Sequence, residues 1–320
     1  MLAELAYPCG RVLCAIEHRR TEGRRGKPVR YDPRTEPASD ADHGRFKGEP
    51  IVTLPSYGMK QASFPEMYER WLVGPLFRPW AELTLDDVRL SAGDRLLDIA
   101  CGTGIVARVA RERLGDNGHV VGIDISSEML AVARALAPAI DWREGNASAL
   151  PLRQGEQFDV VVCQQGGQFF PDKIAAAREM RRALADGGRL AVATWRADDE
   201  IPFMRELRRV AERHLGPVED QRHGYGDAAA LAELLWDAGF SEVRSRAISR
   251  IIRFPADTWF LRGNAMALVG MSAAGKAMDE QTRRGVVDAI VSESEPVRER
   301  YIDGSEIAFE FSTNLATAKG

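Results

Sequence analysis

Two carboxylates and two glycines stand at spacings that could hold a small charged ligand. Asp98 precedes Cys101-Gly102-Thr103-Gly104, and Asp124 follows Gly104 by 20 residues. Gly102 and Gly104 let a ligand approach the backbone closely, because no β-carbon intervenes. An acidic residue at the distance of Asp124 can accept from a ribose diol. Gly102-x-Gly104-x-x-Ala107 also fits a dinucleotide loop, so a nicotinamide oxidoreductase is one reading. Asp98 decides between them: a carboxylate leading into the loop repels a pyrophosphate and attracts an ammonium. S-adenosyl-L-methionine (SAM), with an ammonium, a sulfonium and no phosphate, is the better match.

The elements that must position these residues follow from the apolar pattern. Strand-like 95–100, 119–124, 139–144, 158–163 and 189–195 alternate with helical 105–114, 127–136 and 173–184. Near-continuous Val/Ile/Leu runs between helices predict a parallel sheet covered on both faces. Upstream, 64–90 reads as two short helices broken at Gly74-Pro75 and near Pro79. Downstream, 203–215 and 227–238 are helical, while 241–254 and 305–319 alternate as an antiparallel pair closing the sheet's edge. Between these two strands, 256–300 is a helical insert punctuated by Pro255 and Pro296. The fold class is therefore α/β: a doubly wound, mostly parallel sheet of seven strands, with an antiparallel edge strand and a helical insert before the last strand.

Composition sets limits. The 320 residues carry 43 Lys and Arg against 47 Asp and Glu, a net charge of −4 that gives no reason for a nucleic-acid coat. No apolar run reaches the ~20 residues of a membrane span. The amino terminus, with Glu4 and a short apolar run, does not read as a secretory leader, so a cytoplasmic location is expected. Four cysteines make no disulfide scaffold. Cys9, Cys14 and His18 lack the further ligand that zinc needs, and no metal is expected. Residues 1–58, rich in Arg, Gly, Pro, Asp and Glu, read as a flexible extension. Residues 59–320 would form one domain: a helical lid (59–92), a cofactor core (93–200) and a substrate side (201–320) holding the insert.

LLDIACGTGIVA, VVGIDISSEML and EGNASALPL, with FDVVVCQQGGQFFPD and MRRALADGGRLAVATW, resemble in order and spacing the five motifs of class I SAM-dependent methyltransferases. The similarity is strongest to the ubiquinone/menaquinone-biosynthesis C-methyltransferases. It is specific over 95–195, weaker toward both ends of 64–320, and absent from 1–58. The resemblance implies that Asp98, with the carbonyls of Ala100 and Cys101, organises the methionine ammonium, and that Gly102 and Gly104 lie beneath methionine and ribose. It implies that Asp124 takes the ribose hydroxyls, while Ile125, Met129 and Ala147 pack on adenine. Asn146 stands where the family usually has Asp, and accepts more weakly from the adenine amino group. Gln164 would receive the cofactor, Gln165 or Phe169 would face the acceptor, and Tyr68, Trp71 and Phe77 would line a lid.

These readings imply in-line methyl transfer to a small, largely apolar metabolite. A SAM-binding regulatory protein without transferase activity is the alternative. Trp259, Phe260, Met266, Leu268 and Met271 line an acceptor pocket, pack the insert on the sheet or form a homodimer contact. No catalytic residue follows from the sequence. His119, His214 and His223 are the candidate bases; His119 starts a strand at the wrong end, and His223, in QRHGYGD, could reach an acceptor pocket but reads first as a surface histidine.

Overall fold

The computed structural model describes residues 63–115 and 118–320; the extension expected over 1–58, with Cys9, Cys14 and His18, lies outside them. The described residues all fall within one compact unit, Ser56–Gly320. Helices α1 (Phe64–Tyr68) and α2 (Arg78–Asp87) flank a π-helical stretch, Glu69–Phe77. Then come β1 (Arg95–Ile99), α3 (Ile105–Leu114), β2 (His119–Asp124), α4 (Ser127–Leu136), β3 (Asp141–Glu144), β4 (Phe158–Gln164), α5 (Lys173–Ala183) and β5 (Leu184–Trp195). The second half comprises α6 (Pro202–Leu215), α7 (Ala228–Asp237), β6 (Ser241–Pro255), α8 (Trp259–Met271), α9 (Ala273–Ala277), α10 (Glu280–Glu299), a two-residue β7 (Ile302–Asp303) and β8 (Glu306–Lys319).

The main sheet runs β3-β2-β1-β4-β5-β8-β6, with β7 pairing on β8. β1 to β5 are parallel, and β8 is antiparallel to both β5 and β6. The antiparallel strand thus lies one place in from the edge, and β6 is outermost. Period-two alternation sends Leu96, Val120 and Val160 to the face covered by α2, α3 and α4. Leu97, Val121 and Val161 go to the face covered by α5 and α7. A third apolar cluster joins the insert to the sheet end, where Phe203 and Phe254 pack with Phe260 and Phe309.

Proline predicted breaks that tertiary packing removed. The chain from Phe64 to Asp87 is helical without interruption. Around Gly74-Pro75 the ladder widens, and the Arg78 N–H donates five residues back, to the Val73 carbonyl. A wider turn relieves the clash of the proline ring with the preceding turn. Pro79 lies just past this widened stretch, inside the continuous helix rather than breaking it. Pro296 likewise lies inside α10 rather than ending it, with Val287, Ile290, Val291 and Val297 buried along the helix. Burial of that face outweighs local propensity.

Candidate active site

The carboxyl ends of β1, β2 and β4 meet where strand order reverses, the crevice in which open α/β sheets bind ligands. β1 ends in a turn in which Ala100 (φ +57°), Gly102 (+56°) and Gly104 (+87°) are left-handed. A left-handed alanine costs about 1–2 kcal/mol, a local strain of the kind that clusters at functional turns. The two glycines differ in kind. A β-carbon on Gly102 would meet nothing within 4 Å, so its bare backbone faces open space. A β-carbon on Gly104 would lie 2.2 Å from Cη2 of Trp142, and one on Gly122 would lie 2.3 Å from Cζ3 of the same ring. Gly104 therefore makes room for an indole as well as for a tight turn. Trp142, the cross-strand partner of Gly122, anchors its Nε1–H on the Ala137 carbonyl at 2.9 Å. Sequence reasoning missed this residue; the available signal was a tryptophan in a weak third strand beside a glycine-bearing second one.

Asp98 is buried, and its Oδ2 accepts from the Ala107 N–H at 3.0 Å, capping the opening of α3. Among the described residues no cationic side chain pairs with it. Burial, opposed by the Ala107 hydrogen bond and reinforced by Asp124, pushes its carboxyl up to about 8. Such a group favours an incoming cation. Asp124 ends β2 with Oδ2 accepting from the Gly102 N–H at 2.7 Å and Oδ1 from the Ser126 N–H at 2.8 Å. It holds the glycine turn against the start of α4 while keeping unused acceptor capacity.

The adenine-side candidates lie around this carboxylate. Ile125 is 70% exposed, Met129 is half-buried in the first turn of α4, and Ala147 is buried. Asn146 is exposed, and its Oδ1 accepts from the Ser148 N–H at 2.9 Å, forming a local turn. Cys101 is buried, its N–H donates to the Ile123 carbonyl at 3.1 Å, and burial raises its thiol. Tyr68 packs on Phe77 at 4.9 Å, and its hydroxyl is raised by burial and then by Glu69, Asp124 and Asp98. The preceding helix thus comes over the carboxylate pair. A mostly buried ion pair, Arg108 to Glu69 at 2.7 Å, ties it to α3.

Gln164 and Gln165 take positions that their sequence order does not reveal. The Gln164 Nε2 donates to the Phe77 carbonyl at 3.2 Å, and its Oε1 faces the Thr84 hydroxyl at 3.3 Å. Its side chain is therefore directed to the upstream helix. Gln165, left-handed at φ +57°, donates from Nε2 to Thr313 Oγ1 at 3.0 Å. Phe169 is half exposed at the rim. His223, expected at the surface, is 6% exposed, with Nδ1 2.7 Å from the Arg196 carbonyl. In the insert, Phe260 and Leu268 are core, and Trp259 stacks on Trp71 at 4.7 Å. These contacts pack the insert on the sheet and clasp it to the upstream helix. Among the described residues no group of three His, Cys, Asp or Glu could hold a metal, and no helix is long and apolar enough to cross a membrane.

Known proteins resemble this chain in sequence and fold. Residues 96–188 match a family model described as a methyltransferase domain. A demethylmenaquinone methyltransferase of Listeria welshimeri is 31% identical over 185 residues, 52% of this chain and 78% of that protein. The chloroplastic 2-phytyl-1,4-beta-naphthoquinone methyltransferase of Arabidopsis thaliana is 34% identical over 194 residues, 54% of this chain and 74% of that protein. Among solved structures, phosphoethanolamine N-methyltransferase 2 of Haemonchus contortus aligns with a TM-score of 0.50 at 17% identity, covering 80% of this chain and 56% of that one. That last likeness is one of fold.

Proposed function

Since the chain belongs to the class I SAM-dependent methyltransferases, we propose that it methylates a small, largely apolar ring compound of the hydroxynaphthalene kind, and that its SAM lies against Asp98, Gly102 and Asp124. The observation that carries the placement is a buried carboxylate without a cationic partner among the described residues, beside a glycine that opens on empty space. Both features fit the cofactor: the carboxylate matches an ammonium, and the bare backbone allows close approach. The relatives' names, demethylmenaquinone and phytyl-naphthoquinone methyltransferase, support the acceptor class.

SAM supplies an already activated methyl group, so the protein's work is placement. Asp98 orients the ammonium, Asp124 accepts from the ribose hydroxyls, and Ile125, Met129 and Ala147 flank the adenine. Asn146 offers its amide oxygen to the adenine amino group. Tyr68 and the helix that carries it exclude water from above, and Phe169 borders the acceptor entrance. Alignment of two reactants in a water-poor site supplies up to about 7–11 kcal/mol of rate enhancement.

The test is calorimetry with SAM followed by transfer from methyl-labelled SAM to 1,4-dihydroxynaphthalene kept reduced. Micromolar SAM binding and a labelled ring product are expected. Absence of SAM binding would overturn the cofactor placement, whereas SAM binding with label entering only compounds lacking a hydroxylated ring would overturn the acceptor class.

A further inference from the structure

Beyond the cofactor crevice, the carboxyl ends of β4 and β5 and the middle of β8 bring together a buried polar wall around the sheet, with Thr194 and Asn314 on one face and Thr313, bonded to Gln165, on the other. Gln165, Gln168, Thr194, Thr313, Asn314 and His223 are each less than 9% exposed. They are linked through the fold rather than along the chain. Gln165 Nε2 donates to Thr313 Oγ1 at 3.0 Å, which donates to the Thr194 carbonyl at 2.8 Å. Asn314 pairs in register with Thr194, and its Nδ2 donates to the Gly226 carbonyl at 2.9 Å. The turn bearing Gln168 packs against the turn bearing His223.

Buried polar atoms in folded proteins are nearly always hydrogen-bonded. Among the described residues, Gln165 Oε1, both amide atoms of Gln168, Thr194 Oγ1 and Asn314 Oδ1 have no partner. Unpaired acceptors and donors gathered at the ligand-binding end of a sheet point to a polar ligand group. That group is neutral, because the wall is made of amides and hydroxyls and the nearby charges are already paired. Asp220 is bonded to Arg222 at 2.6 Å, and Asp198 to Arg208.

His223 supplies what the amides cannot. The Arg196 carbonyl at Nδ1 can only accept, so the ring proton of the neutral imidazole sits on Nδ1 and Nε2 carries the lone pair. Phe311 flanks the ring at 5.9 Å, and Arg222, which also reaches Asn264 of α8 at 2.9 Å, fixes the turn. Of the groups around the imidazole, burial and Arg222 hold its titration below the ordinary histidine value, while Asp220, Asp198 and the Arg196 carbonyl oppose them.

Resting on the methyltransferase reading, we propose that Gln168 with Thr194 and Asn314 forms the subsite for the hydroxyl oxygens of the acceptor ring, and that His223 is its general base. In the step, the acceptor O–H bond breaks and its proton goes to Nε2. The released electron pair, shared between oxygen and the adjacent ring carbon, forms the bond to the methyl carbon. The carbon–sulfur bond breaks with its pair kept by sulfur, leaving a neutral thioether. Attack through carbon is completed by loss of the ring proton to water.

The test uses the full chain with SAM and 1,4-dihydroxynaphthalene, with its dimethyl ether as a hydroxyl-free control. Saturable binding of the diol and at least tenfold weaker binding of the ether are expected, with Gln168→Leu raising KM about tenfold. His223→Gln is expected to lower kcat about 100-fold at pH 7, within the usual range for a general base, and to abolish the acidic limb of the kcat–pH profile. The His223 ring resonance of the unmodified protein should titrate below its ordinary value and shift on adding the diol, a readout that needs no variant. A His223→Gln enzyme that keeps its acidic limb, a resonance that ignores the diol, or equal binding of diol and ether would overturn the proposal. Failure of the unmodified chain to bind SAM would instead overturn the cofactor reading.

Discussion

The two halves of the sheet's carboxyl edge are built on opposite terms. On the cofactor half, Gly102, Asp98 and Asp124 lie within one β1–α3–β2 unit, and the turn's N–H groups are already engaged by the carboxylates. On the proposed acceptor half, Gln165 meets Thr313 from 148 residues away, and several buried amide and hydroxyl atoms have no partner among the described residues. One half is a local turn preorganised for a fixed ligand. The other is assembled by strand pairing and, on the proposal above, leaves its polar atoms for the methyl acceptor.

Five tests break or sharpen that contrast. The largest is Gly104→Ala, which sets a β-carbon into the Trp142 ring at a left-handed position. Overpacking and strain together cost about 2–4 kcal/mol, read as a lower urea midpoint with the slope unchanged. Gly102→Ala carries only the strain, about 1 kcal/mol, and is expected to weaken SAM binding instead. If both variants lost stability equally, Trp142 would not be what separates the two glycines.

Asp98→Asn comes next. It keeps an acceptor for the Ala107 N–H and removes the carboxylate, so SAM affinity should fall by about 10- to 100-fold, the range of a charged hydrogen bond. The pH dependence follows from the raised carboxyl. Between its unfolded value near 3.8 and its folded value of about 8, the folded state holds the extra proton, so stability without cofactor falls as pH rises through that window. Asp98→Asn should flatten this slope in melts run from pH 5 to 8.5. SAM binding at pH 7 should release a proton, seen by calorimetry in two buffers of different ionisation heat. A wild-type slope retained in the variant would assign the effect to another group.

The clasp between lid helix and insert comes fourth. A double-mutant cycle on Trp71 and Trp259, stacked at 4.7 Å, should give a coupling of about 0.5–1.5 kcal/mol, and zero coupling would make the stack incidental. The smallest effect is expected for Asn146→Asp, which puts a charged acceptor at the proposed adenine edge and should tighten SAM a few-fold in direct titration. Weaker binding would show that the Ser148 turn, not adenine, is the partner that matters.

Sequence alone determined the alternation of strands and helices, the glycine turn, its two carboxylates and the family. These depend on residues close in the chain, where apolar period and turn chemistry act directly. The tertiary structure decided that Gly74, Pro75 and Pro296 would not break their helices, because the packed faces outweigh local preference. It also decided that Trp142 would fill the space beside Gly104, that Gln164 would turn toward Phe77, and that His223 would be buried beside Arg196. Each of these depends on partners brought together by strand order and packing, and a contact across 27 to 148 residues leaves no periodicity to read.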